Sequence, residues 1–156
     1  MRHRSDPGFT DMTVLRTDVP GTPEGVRDAL AKLCDKLHRE QVAEDRVRSV
    51  ELVVAEALNN IVEHALKDVA APTIRLSMDK TDQAVAFEIC DYGTPMPGNQ
   101  LPPGTLPDIG DSVETYPEGG FGWHLIKKLT VNLRYDRLPG ENKLSFQLPL
   151  SDEIRT

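Results

Sequence analysis

The sequence predicts an α+β fold: a two-layer α/β sandwich in which one mixed, mostly antiparallel sheet carries its helices on a single face. Two observations predict it. Five short stretches read as strands and three as helices by the period of their apolar residues, in the order strand, two helices, two strands, loop, helix, hairpin. At 156 residues, 38% hydrophobic and 28% charged, the chain has the size and make-up of one ordinary globular domain.

The elements follow in chain order. Residues 1–12 are polar, contain Pro7-Gly8 and read as a flexible tail ahead of the domain, which is expected to span residues 13–150. MTVLRTDV alternates as a strand should, and PGTP ends it. Thr22, Pro23 and Glu24 then supply a cap, a first-turn proline and an early acid. Val26, Ala29, Leu30, Leu33 and Leu37 continue at helical spacing to about His38. A second helix is predicted from near Ala43 to about Lys67, stopping before Pro72. TIRLSMDK and AVAFEICD are strands joined by turn residues 79–83. The segment from Tyr92 to Gly120 holds six of the twelve prolines and has no hydrophobic period, so it is a long loop of the kind that is functional or disordered. FGWHLIKKLT is a helix opening at glycines, with Trp123 and His124 as packing residues and Lys127 and Lys128 on the surface of its last turn. VNLRYDRL and NKLSFQLPL form a closing hairpin around LPGEN, and residues 151–156 are a tail.

Composition excludes several classes. A net charge of −7 argues against broad binding to nucleic-acid phosphates. No apolar run approaches the length of a membrane-spanning helix, and MRHRSDPGFT lacks the apolar core of a signal peptide. The expectation is a cytoplasmic protein with no direct nucleic-acid or membrane partner. Cys34 and Cys90 are far apart without metal-ligand spacing and read as buried thiols.

Three motifs could carry chemistry. In LVVAEALNNIVEHAL, Val54, Leu58, Ile61, Val62 and Ala65 share one side of a helix turning about 100° per residue. Glu56, Asn60 and His64 fall within roughly 80° of one another on the other side. A solvated polar face would look the same, but two adjacent asparagines in mid-helix have no local rationale, since their amides compete for backbone hydrogen bonds. CDYGTP puts Asp91 at the end of an apolar strand with Gly93 two residues on. A carboxylate there accepts from an exocyclic amine while glycine admits a flat ring, although Asp-x-Gly-x-Pro is also good turn chemistry. GGFGWHLIKKL places glycines where a helix begins, leaving amides and the helix dipole for polyphosphate, or simply forming a hinge.

Taken together and in this order, ELVVAEALNNIVEHAL, CDYGTPMP and GGFGWHLIKKL resemble the N-box and two glycine boxes of the GHKL (Bergerat-fold) ATP-binding superfamily. Within it the chain is most similar to bacterial anti-sigma-factor serine/threonine kinases, over residues 13–150. The resemblance implies ATP and Mg²⁺ as ligands: Glu56 as the general base, Asn60 binding Mg²⁺ and nucleotide, Asp91 bonding the adenine amine with Gly93 against the ring, and Gly120 and Gly122 cradling phosphates. Residues 94–119 would be the ATP lid. The chain departs from several relatives at Pro117-Glu118, where they carry a basic residue near the phosphates. His64 has no second ligand at metal spacing, and a structural hydrogen bond that positions the helix is expected of it.

The function implied is phosphorylation of a Ser or Thr on an anti-anti-sigma (STAS-type) antagonist, together with sequestration of a sigma factor; homodimer formation stays open. A different class is a nucleotide-gated partner-switching module that transfers no phosphate. A third is the catalytic domain of a histidine kinase, which would need its phosphoacceptor from a partner chain.

Overall fold

A computed structural model describes residues 13–103 and 120–151. The expected N-terminal tail, most of the expected lid with Pro117-Glu118, and all but the first residue of the C-terminal tail lie outside these. The elements are β1 (Thr13–Pro20), α1 (Pro23–Arg39), α2 (Glu44–Asn60), β2 (Thr73–Lys80), β3 (Ala84–Asp91), α3 (Gly120–Leu129), β4 (Val131–Leu138) and β5 (Glu141–Pro149).

The five strands form one sheet in the order β1-β2-β3-β5-β4. The sequence predicts a mixed, mostly antiparallel sheet; all four pairings observed are antiparallel. The β4–β5 hairpin is what achieves this. The chain leaves β3, passes through α3 to the outer strand β4, and returns as β5 into the gap beside β3. The start of β5 therefore lies against the end of β3, with Asn142 directly opposite Asp91.

Every second residue of the inner strands faces the helices. Ile74, Leu76 and Met78 on β2, Val85, Phe87 and Ile89 on β3, and Leu144, Phe146 and Leu148 on β5 are all buried. The intervening Arg75, Ser77, Glu88, Lys143, Ser145 and Gln147 are at least partly solvated. This is the alternation of a sheet covered on one side only. The cover consists of Val26, Ala29, Leu33 and Leu37 from α1, Val50, Val54, Ala57 and Leu58 from α2, and Trp123 and Ile126 from α3. Helix α2 packs against both of the others.

Local chemistry explains the helix ends. Thr22 caps α1 by accepting a hydrogen bond from the Gly25 amide at 3.0 Å, and Pro23 opens its first turn. Helix α2 has no side-chain cap, and Glu44 and Asp45 supply the acid that suits its N-terminus. Its C-terminal end does not stop as a regular helix. Residues 61–65 widen into a single π-type turn, closed by the Leu66 amide on the Ile61 carbonyl at 3.0 Å. The predicted helix to about Lys67 is thus a regular α-helix to Asn60 and a wide turn beyond it.

Phe87 and Phe146 face each other across β3 and β5, with ring centroids 5.4 Å apart. Truncating Phe146, which is 1% exposed, leaves a cavity between the two layers. Phe146→Ala is expected to lower stability by about 3–5 kcal/mol, seen as a lower urea midpoint with unchanged slope. A shift worth less than about 1 kcal/mol would contradict this packing.

Candidate functional site

Two glycine segments close on one stretch of α2. Gly122, in the first turn of α3, lies so close to Glu56 that a Cβ there would collide with the Glu56 carboxylate; it would also come 3.7 Å from the Asn60 amide nitrogen. Nine residues beyond Glu56, the turn after β3 docks on the wide end of the helix. A Cβ at Gly93 would strike the Ala65 carbonyl, and the Thr94 amide donates to that same carbonyl at 2.9 Å. The last carbonyls of a helix lack partners within it, so the Gly93-Thr94 turn satisfies one of them from outside. Glycine is required at position 93, where the neighbour is backbone that cannot yield; at position 122 the neighbour is the end of the Glu56 side chain, which a Cβ would displace.

Glu56 is half-buried at this junction. Burial, reinforced by Glu63, pushes its carboxyl above the usual carboxylate range. Asn60 is also half-buried; its amide nitrogen donates to the Glu56 carbonyl at 2.8 Å. A back-bond of this type loosens the helix locally, and the wide turn begins at the next residue. With the nitrogen so engaged, the amide oxygen keeps both of its lone pairs for other partners. Gly120 opens α3.

Asp91 is 2% exposed at the end of β3. Its Oδ1 accepts from the Gly93 amide at 2.8 Å and from the Asn142 amide at 3.0 Å. Burial raises the carboxyl above its ordinary value and outweighs the opposing influence of those two hydrogen bonds and of Arg137; Glu141 adds to the rise. The structure thus brings Glu56, Asn60, Gly93 and Gly122 against one helix and joins Asp91 to them through the Gly93 turn.

His64 departs from expectation. It stands exposed, with Glu63 at 4.0 Å as its charged neighbour, and makes no helix-positioning hydrogen bond with the described residues. The segment packed at this level meets the Ala65 backbone instead of the imidazole. Trp123 is buried as expected and His124 half-buried. Lys127 is exposed, but its ammonium donates to the Pro103 carbonyl at 2.9 Å, tying α3 to the segment that leaves the first glycine box. Cys34 and Cys90 are free thiols, pushed up by burial to about 11 and about 12, which leaves them protonated and unreactive near neutrality.

Three polar residues not singled out from the sequence complete the arrangement. Asn142, Tyr135 and Arg137 come from the closing hairpin and bind the Asp91 turn, with Arg137 donating to the Gly93 carbonyl at 2.8 Å and the Met96 amide donating to the Tyr135 hydroxyl at 3.0 Å. Leu133, Tyr135 and Arg137 share a strand face by alternation. Nothing local connects them with a residue more than forty positions earlier.

Sheet, helix layer and the meeting of two glycine segments on one helix define a nucleotide-binding domain of the GHKL type. Residues 19–148 match the histidine kinase-like ATPase domain, and the chain belongs to that family. It is 27% identical over 127 residues to the serine-protein kinase RsbW of Oceanobacillus iheyensis, covering 81% of this chain and 80% of that one. It is 32% identical over 94 residues to the serine/threonine-protein kinase BtrW of Bordetella bronchiseptica, a stretch that covers 60% of this chain and only 64% of that relative. Among solved structures, the fold is similar to the SiaB-SiaC complex of Pseudomonas aeruginosa, with a TM-score of 0.57 at 17% identity, covering 88% of this chain and 91% of that one. The RsbU and RsbW domains of a Mycobacterium tuberculosis protein give the same TM-score at 14% identity, over 86% of this chain and 31% of that one. Among the described residues, no helix is long and apolar enough to cross a membrane.

Two outcomes test this geometry. Gly93→Ala must push the turn off Ala65, with an expected cost of about 1–3 kcal/mol in denaturant unfolding; an unchanged midpoint would refute the close approach. The raised Asp91 carboxyl means that the folded state holds this proton more tightly than the unfolded chain. Its stability contribution is therefore fully present below the ordinary value of 3.8 and is lost as pH rises through the raised folded value. Asp91→Asn removes that titration, so the stability of wild type relative to the variant should fall as pH climbs from 3.8 through the carboxylate range. A difference that stays flat or grows would overturn the assignment.

Proposed function

We propose that this chain is a cytoplasmic, ATP-dependent serine/threonine protein kinase and anti-sigma factor, which phosphorylates a STAS-type antagonist and sequesters a sigma factor. The observation that carries the reading is the closure of both glycine segments on the Glu56–Ala65 stretch of one helix. Family membership and the kinase names of RsbW and BtrW support the reaction class.

The residues present suit nucleotide and Mg²⁺. Gly122 brings the start of α3 against the Glu56 carboxylate, beside an Asn60 amide whose nitrogen is already committed to the Glu56 carbonyl. The Asn60 oxygen would hold Mg²⁺, an ion that takes one or two protein oxygens and completes its shell with phosphates and water. When bound, Mg²⁺ neutralises charge developing on the transferred phosphoryl group. Asp91 accepts the adenine amine, with Gly93 against the ring. The backbone at Gly120 and Gly122, at the positive end of α3, receives phosphate oxygens. Glu56 lies one turn from Asn60, and its raised carboxyl is a stronger base than an ordinary glutamate. It takes the proton from the attacking Ser or Thr hydroxyl, whose oxygen bonds to the γ-phosphorus as the bond to the β-phosphate oxygen breaks and ADP leaves.

Calorimetric titration with Mg-ATP should show Asn60→Ala and Asp91→Asn binding at least about tenfold more weakly than wild type. Equal affinity in all three would remove the nucleotide reading. Glu56→Gln should retain binding while labelled phosphate reaching a STAS-domain substrate slows by about 10²–10⁴-fold. Tight Mg-ATP binding by wild type with no label on any antagonist would favour a nucleotide-gated module that transfers no phosphate.

A further inference from the structure

We propose that Asn142, held by Tyr135 and Arg137, is the positioning residue that keeps Asp91 a hydrogen-bond acceptor and so sets the choice of nucleobase. The inference rests on the reading that Asp91 receives an exocyclic amine. Asp91, Asn142 and Arg137 form a row across three neighbouring strands, each directly opposite the next. Asn142 is 4% exposed, and its amide uses every bonding position it has. The nitrogen donates to Asp91 Oδ1 at 3.0 Å and to the Thr94 carbonyl at 2.8 Å. The oxygen accepts from the Tyr135 hydroxyl at 2.5 Å and from Arg137 Nη1 at 3.1 Å.

The orientation of this amide follows from its partners. A guanidinium only donates, so it must face the amide oxygen; a main-chain carbonyl only accepts, so it must face the nitrogen. Tyr135 cannot reverse this, because its oxygen already accepts from the Met96 amide and its proton is left for Asn142. Turning the amide over would set Arg137 and Thr94 against like groups. The nitrogen is thus locked toward Asp91.

The consequence falls on the carboxylate. Oδ1 receives two donors, the Gly93 amide and Asn142, both of which favour the ionised form. Oδ2 is left as the acceptor for a ligand. An acceptor at that place suits an amine, as on adenine, and opposes the carbonyl of hypoxanthine or guanine, which would face a carboxylate oxygen without a proton between them. A buried polar group that the wrong ligand leaves unpaired is a strong source of discrimination. Arg137 adds to the hold through its second bond, to the Gly93 carbonyl.

The test compares Mg-ATP with Mg-ITP, which differ in presenting an amine or a carbonyl at this position, by calorimetry on the whole chain. Wild type should bind ATP at least about a hundredfold more tightly than ITP. Tyr135→Phe removes one hydroxyl and releases the Asn142 oxygen, and Asn142→Ala removes the amide; each should cut the ATP-to-ITP ratio about tenfold or more. Circular dichroism and thermal melts establish that each variant is folded, and Tyr135→Phe, which keeps the ring, carries the test if Asn142→Ala does not fold. If folded variants lose affinity for both nucleotides equally, or the ratio does not move, the positioning role is wrong while nucleotide binding stands. Failure of wild type to bind either nucleotide would overturn both readings together.

Discussion

Everything at the candidate site hangs on the approach of the Gly93 backbone to the Ala65 carbonyl. A helix end that widens into a π-type turn leaves carbonyls that the helix itself does not satisfy, and the Thr94 amide supplies a donor at 2.9 Å. That bond fixes the end of β3 against the wide turn that follows α2. Asp91 is built into the strand and Glu56 and Asn60 into the helix, so docking one turn on the other ties the strand end that carries a buried carboxylate to the helix that carries a half-buried one. The absence of a side chain at residue 93 permits the contact; the hydrogen bond holds it.

The sheet supports that junction from the other side. Because β5 returns between β3 and β4, its second residue lies beside the last residue of β3. The antiparallel register then makes a three-strand row of acid, amide and guanidinium, with the Tyr135 hydroxyl and the Gly93-to-Met96 backbone attached to it. Both donors of the Asn142 amide, and Arg137 Nη1, face acceptors. A network satisfied in this way resists rotation of any one member, since each turn would leave a buried polar group unpaired. The turn after Asp91 is thereby held at both ends, by the helix below and by the hairpin beside it.

Much of the fold was legible because short-range periods report which face of each element is buried. The boundaries of β2, β3 and β4 emerge as the alternation places them, and Thr22-Pro23 marks the start of α1. The Glu56–Asn60 pair, Asp91-x-Gly93 and the glycines at the start of α3 are visible as residue types out of keeping with their surroundings. What escaped is of a different kind. His64 continues the four-residue step of Glu56 and Asn60, yet spacing along a helix cannot say how far a neighbouring segment extends, and here it stops at Ala65. Asn142, Tyr135 and Arg137 look like ordinary residues of a half-exposed hairpin, and only their partners make them more.

The sequence by itself determined the α+β class, the order of the elements and the family, since apolar period, caps and local motifs are properties of neighbouring residues. The tertiary structure decided that every strand pairing is antiparallel, that the helix opens after Asn60, and that Asp91 meets Asn142 across fifty-one positions of chain. Those outcomes depend on which strand fills the gap beside β3 and on how near two backbones come. Long-range pairing and close approach are settled by packing, and no local pattern encodes them.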